Sequence, residues 1–151
     1  MKEYKSQLPQ ITLKYTPSDF HKVKVSSSLD VFEVMKKMFN PDTVEYSEES
    51  IVLFLDGANK TIGWMRHTTG GTCQAVVDIK IILVTALQCG ATAIAFAHNH
   101  PSGQKHPSRE DEKVTQKIKQ GCEAIGVRML DHIIIAGDYG GYYSFCDEGK
   151  V

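Results

Sequence analysis

The chain has 151 residues, with 17 basic and 18 acidic side chains, six histidines and four cysteines. That suits one domain and argues against a multidomain enzyme. Hydrophobic residues at 42% and charged residues at 23% allow a proper core and exclude wholesale disorder, while a net charge of −1 supplies no long-range field for gathering phosphates and so disfavours a general nucleic-acid coat.

Residues 1–28 read as an N-terminal arm and 29–151 as the folded domain. The opening MKEYKSQLPQ has no apolar secretory core, and no stretch approaches the roughly 18 apolar residues that span a bilayer. The expected location is the cytoplasm, with no membrane partner. Within the arm, Ile11, Leu13 and Tyr15 alternate with polar residues, and Val23 and Val25 alternate with lysines, the pattern of two short strands. Ser26, Ser27 and Ser28 are N-cap candidates for a helix over 29–39, whose apolar positions Leu29, Val31, Phe32, Met35, Met38 and Phe39 keep helical spacing. Ile51–Leu55 and Thr61–Met65, joined by Asp56-Gly57-Ala58-Asn59, predict a β-hairpin.

Gly70-Gly71-Thr72 marks a loop. Asp78 is a good N-cap for an apolar helix from Ile79 to Gln88, closed by Gly90. The short apolar run Ala91–Ala97 predicts a buried strand. A third helix follows from Ser108 to about Ile125, with Glu110, Asp111 and Glu112 in its first turn and Gly126 at its end. Val127–Leu130, Ile133–Ala136 and Tyr142–Phe145 predict three closing strands, with Asp138–Gly141 as a turn. Strands alternating with helices, and hairpins at both ends, give an α/β class with a mixed β-sheet flanked by helices. Cys73, Cys89, Cys122 and Cys146 are too irregularly spaced for a disulfide framework or a thiolate zinc site, and read as small buried hydrophobes.

The segment that carries chemistry is His98-Asn99-His100-Pro101-Ser102-Gly103, followed by Pro107-Ser108-Arg109-Glu110-Asp111. Side chains two apart on a strand share a face, so His98 and His100 can present imidazoles to one point. A helix starting at Ser108 can return the Asp111 carboxylate to the same point. Two nitrogens and one carboxylate oxygen suit Zn²⁺ and leave a fourth position open for water, as a catalytic site requires. Taken singly, the parts are ordinary: loop histidines are common, and Ser108 with Asp111 resembles a capping pair. Their conjunction is far more specific.

The pattern H-x-H-P…S-x-x-D formed by His98, His100, Pro101, Ser108 and Asp111 resembles the signature of the JAMM (JAB1/MPN+) metalloprotease superfamily. The fuller wording AHNHPSG…PSxxD, with LDHIII and YYSF after it, is similar to the bacterial RadC-like branch, over about Val44 to Glu148. The resemblance implies a cytidine-deaminase-like JAB/MPN fold, a zinc cofactor held by His98, His100 and Asp111, and a glutamate before the hairpin acting as general base. Counting back from Asp56 on the family spacing selects Glu48; Ser50 stands where the family commonly has phenylalanine, so Glu49 stays open. Ser108 matches the oxyanion-stabilising serine and equally reads as an N-cap.

The activity implied is that of a zinc metallohydrolase, with activated water attacking an amide or isopeptide carbonyl of a peptide or protein substrate. Two alternatives follow from the same resemblance. One is a DNA-repair-associated accessory protein, disfavoured by the near-neutral charge and by the lack of the helix-hairpin-helix region that longer members carry; the other is a metal-binding partner module without turnover. A homodimer through exposed strand edges is compatible with this pattern. His106 reads as a solvated loop residue, Asp131-His132 as a structural hydrogen-bonding pair, and His21 and His67 have no identifiable partner.

Overall fold

The computed structural model describes Pro9, residues 21–70 and residues 77–151. The alternating stretch Ile11–Tyr15, most of the Gly70–Thr72 loop, and Cys73 lie outside the described residues. Val23–Val25 is extended and makes one antiparallel bridge, Lys24 with Lys60, beside the hairpin turn, short of a full strand.

Helix α1 (Ser28–Met35) starts at a capping box: Ser27 Oγ accepts from the Asp30 N–H, and the Asp30 carboxylate accepts from the Ser27 N–H. It tightens into a 3₁₀ turn at Lys36–Met38. The hairpin β1 (Glu49–Leu55) and β2 (Thr61–Thr69) is longer than its apolar pattern predicts. The extra pairs are polar: Glu49 lies opposite Thr69 and Ser50 opposite Thr68, with the two hydroxyls of Ser50 and Thr68 2.6 Å apart. Hydropathy does not mark such an end. Helix α2 (Ile79–Gln88) is capped by the Asp78 carboxylate, which accepts from the Lys80 and Ile81 N–H groups. Strand β3 (Ala93–His100) runs on through both histidines, and α3 (Arg109–Ala124) precedes β4 (Arg128–Ala136) and β5 (Tyr142–Ser144).

The five strands form one mixed sheet in the order β2-β1-β3-β4-β5. β3 and β4 are parallel and joined by α3, whereas β1 pairs antiparallel with both β2 and β3. Strand β1 is buried along its whole length and β3 up to Asn99, because helices cover both faces. On one face Ile51, Leu53, Leu55 and Ala93, Ala95, Ala97 pack under α1 with Phe32 and Met35. On the other, Val52, Phe54, Ile94 and Phe96 meet Ile82 and Ala86 of α2 and Ile118 and Cys122 of α3.

The expected pair of strands 127–130 and 133–136 is a single strand, β4. Its interruption in hydropathy, Asp131-His132, is buried within the sheet. Opposite β3 the register shifts between Ile94 and Ala95, so that Ile94 faces Met129 and Ala95 faces Asp131. Leu130 is the extra residue of a bulge. Met129 and His132, three apart, would point to opposite faces of a regular strand; the bulge puts the His132 ring on the α3 side. Asp131 takes the other side, where its carboxylate accepts from the Ser144 hydroxyl and from the His132 and Cys146 N–H groups. Among the cysteines, Cys122 is buried as expected, but Cys89 is half-buried and Cys146 exposed. Cys146 lies just past the end of β5. Among the described residues, no helix is long and apolar enough to cross a membrane.

Asn99 faces α1 and is 0% exposed. Its Oδ1 accepts from the Glu49 N–H at 2.6 Å, and its Nδ2 donates to the carbonyls of Val44 at 2.7 Å and Ser47 at 2.9 Å. One side chain thereby ties the loop before β1 to the end of β3. Asn99→Ala strands these buried groups, each worth about 1–3 kcal/mol when left unpaired. The expected loss, read by urea unfolding, is about 2–4 kcal/mol after partial rehydration.

Candidate metal centre

The site forms where the end of β3 meets the start of α3. Residues 101–108 leave the sheet after His100, and Ser108 opens α3 with a second capping box: its Oγ accepts from the Asp111 N–H at 3.1 Å, and Asp111 Oδ2 accepts from the Ser108 N–H at 2.8 Å. The buried stripe of α3 is Asp111, Thr115, Ile118, Cys122. Its C-terminal half is apolar and fills the core; its N-terminal half is polar and faces the histidines.

His98, His100 and Asp111 each offer one ligand atom, all within 4.8 Å of one another. His98 Nε2 and His100 Nε2 are 3.0 Å apart; Asp111 Oδ1 lies 3.3 Å from the first and Oδ2 3.3 Å from the second. Zinc bonds of about 2.0–2.1 Å in a tetrahedron require ligand separations of about 3.3 Å. The spacing therefore fits a small divalent cation. The donor chemistry fits as well: His100 Nδ1 lies 2.8 Å from the Gln104 carbonyl, which can only accept, so the proton sits on Nδ1 and the Nε2 lone pair of the neutral ring points at the site.

Charge is concentrated here. Burial works against ionisation of Asp111, but the His100 and His98 rings, which donate from Nε2 when a proton rather than a cation occupies the site, and the Ser108 N–H outweigh it and hold the carboxyl well below the usual carboxylate range. Burial likewise opposes the imidazolium form of His100. The Asp111 carboxylate, the Gln104 carbonyl and the charge of Glu48 prevail and raise its pKa.

Sheet geometry separates the two glutamates. Ser50 pairs with His98, so they share a face, and Glu48, two residues earlier, belongs to the face of His98 and His100. Glu48 is half-buried and borders both clefts that open onto the cluster. The first, of about 280 Å³, reaches His98 between β1 and α3 over an apolar lining of Val77, Ile79, Phe96 and Val114. The second, wider cleft reaches His100 between Tyr46 and the loop Ser102–Pro107. Glu49 points to the other face. It is 3% exposed, accepts from the Thr43 hydroxyl at 3.3 Å and has Arg66 Nε 3.7 Å away. Ser108 is an N-cap, and its Oγ only accepts in that role, so its own O–H remains available at the second cleft.

His106 is exposed, as expected. His67 has a partner after all: its Nε2 accepts from the Asp78 N–H at 2.8 Å. Two side chains at the site escape the sequence reading. Thr115 was identifiable only as the polar residue in a buried 3–4 spacing that begins at Asp111. Asp131 and His132 are hydrogen-bonded as expected, through the His132 main-chain N–H, but the fully buried His132 ring stands 2.7 Å behind His98; the bulge that turns it there has no mark in hydropathy.

A family model described as "RadC-like JAB domain" matches residues 25–150. Among relatives, a UPF0758 protein of Flavobacterium johnsoniae is 40% identical over 126 residues, 83% of this chain and 53% of the relative. Another UPF0758 protein, from Aquifex aeolicus, is 34% identical over 130 residues, 86% of this chain and 54% of its own. A third, from Haemophilus ducreyi, is 42% identical over 113 residues, 74% and 50% of the two chains. The chain thus spans about half the length of these relatives. With the family model covering the sheet, its helices and the His-His-Asp cluster, the chain belongs to the RadC-like JAB domain family.

Proposed function

We propose that the domain is a zinc-dependent hydrolase acting on amide or isopeptide bonds. The observation that carries this reading is the convergence of His98, His100 and Asp111 at the junction of two clefts that share Glu48. Zinc held by these three side chains would supply a Lewis acid and lower the pKa of water in its open position.

The chain's own groups complete the reaction. Glu48 takes a proton from the attacking water as its oxygen bonds to the carbonyl carbon, and returns that proton to the nitrogen as the C–N bond breaks. The Ser108 O–H donates to the carbonyl oxygen as it gains negative charge, at the positive end of α3. The two clefts can hold the acyl and amine sides of an extended peptide. The apolar lining of the first cleft and the Glu48 carboxylate that borders both suit a peptide better than a polyphosphate.

Elemental analysis of the purified protein should find one zinc per chain, lost in His98→Ala and in Asp111→Ala; metal retained in both would overturn the ligand assignment. Assayed on a panel of amide- and isopeptide-linked peptides, Glu48→Gln should keep zinc and lose at least 10²-fold in rate, the usual scale of a general base, whereas Glu49→Gln should cleave like the parent. Ser108→Gly sacrifices only a few tenths of a kcal/mol of capping yet removes the hydroxyl, so a fall of about 10²-fold or more in turnover at nearly unchanged stability identifies an oxyanion donor.

Zinc affinity should also depend on pH with a definite sign. A proton and the metal compete for His100 Nε2, and because the pKa of His100 is raised above the ordinary histidine value, competition begins at a higher pH than for an ordinary histidine. Isothermal titration at descending pH should show affinity falling from near neutrality downward.

A further inference from the structure

Behind His98 runs a chain of short polar contacts. His98 Nδ1 lies 2.7 Å from His132 Nε2, His132 Nδ1 lies 2.6 Å from Thr115 Oγ1, and Thr115 Oγ1 lies 2.7 Å from the carbonyl oxygen of Asp111. Distances this short require a proton in each gap, and the protons can be assigned from the far end. The Asp111 carbonyl only accepts, so the single Thr115 O–H points to it. Thr115 Oγ1 must then accept from His132, which places the His132 proton on Nδ1. A neutral His132 has an acceptor at Nε2, and His98 fills it with its Nδ1–H. The one remaining polar atom, His98 Nε2, is a bare lone pair facing His100 and Asp111.

His132 is 0% exposed, and both of its ring nitrogens are already taken up by His98 and Thr115. Its ring has little freedom to turn over: Phe145 stacks on it at 4.5 Å between centroids and 5° between planes, and Phe96 meets it edge-on at 4.9 Å.

We propose that Thr115 and His132 are positioning residues that set the tautomer and orientation of His98, committing its Nε2 lone pair to the cation site. This inference rests on the metal reading of the site and extends it. A ligand histidine commonly donates its second nitrogen to a carboxylate or a carbonyl. Here the acceptor is an uncharged imidazole, so the site gains orientation without a further negative charge. The circuit also closes on the main chain of Asp111. Ligands carried by β3 and by α3 are thereby joined through β4, and a shift of α3 is felt at His98.

The test uses the full chain with zinc alone as the probe. Imidazole ¹⁵N spectra of the metal-free parent should show His132 protonated at Nδ1 and accepting at Nε2. A proton on His132 Nε2 would overturn the proposal. Thr115→Val removes the hydroxyl at nearly constant shape and should weaken zinc binding by about 10–100-fold in competition with a chelator, with Thr115→Ser restoring it. His132→Phe keeps the aromatic packing and should show a comparable loss. A Thr115→Val protein that is folded by circular dichroism and binds zinc like the parent would sink the relay. Failure of the parent itself to take up zinc would overturn the metal reading alone, because the nitrogen spectrum of the metal-free protein decides the tautomer independently.

Discussion

Two imidazole nitrogens held 3.0 Å apart, with a carboxylate 3.3 Å from each, form a cluster of electron-pair donors that a protein interior does not tolerate uncompensated. Much of the surrounding structure can be understood as the means of holding that cluster together. The antiparallel pairing of β1 with β3 brings Ser50 opposite His98, the return from β3 to α3 brings Asp111 within reach, and the capping box at Ser108 fixes the carboxylate. None of these elements is unusual by itself. What is specific is that a sheet end, a helix start and a bulged neighbouring strand deliver polar side chains to the same few ångströms.

Helix α3 shows how one element serves both packing and chemistry. Its buried face has a single geometric period but two chemical characters, Asp111 and Thr115 toward the site and Ile118 and Cys122 toward the core. The apolar half anchors the polar half. A helix secured by one end against Ile94, Phe96 and Ile82 can hold a desolvated carboxylate and hydroxyl at the other, where they have little freedom to rearrange.

Local signals made much of this legible in the amino-acid sequence. The Ser26–Ser28 run, Asp78 and Ser108 mark helix starts because capping is a contact within one turn. Gly90, with φ at 67°, marks a helix end because that backbone geometry suits a residue lacking Cβ. The H-x-H and S-x-x-D spacings placed His98, His100 and Asp111 together, since a strand and a helix each have a fixed period. What escaped depends on long-range register. The polar extension of the hairpin, the fusion of two predicted strands into β4 around Asp131-His132, and the bulge at Leu130 are set by partners on other strands. Glu48 and Glu49 are separated by a face of the sheet, which spacing from Asp56 approached but did not reach. Asn99, between two candidate ligands in the sequence, is the clamp on the far side of the same strand.

That clamp has a consequence for how the site could be lost. Glu48 and Glu49 are neighbours of identical chemistry on opposite faces, so a slip of β1 by one residue against β3 would exchange them. A carboxylate would still reach the histidines, but every apolar residue of β1 would change sides with it, and Ile51, Leu53 and Leu55 would leave the layer beneath α1. The two hydrophobic layers therefore act as a proofreading device for the polar site. Asn99, bonded to the Glu49 N–H and to the two carbonyls before it, recognises the backbone of the correct alignment rather than either side chain, and so distinguishes two glutamates that no chemical test of the residues themselves could tell apart.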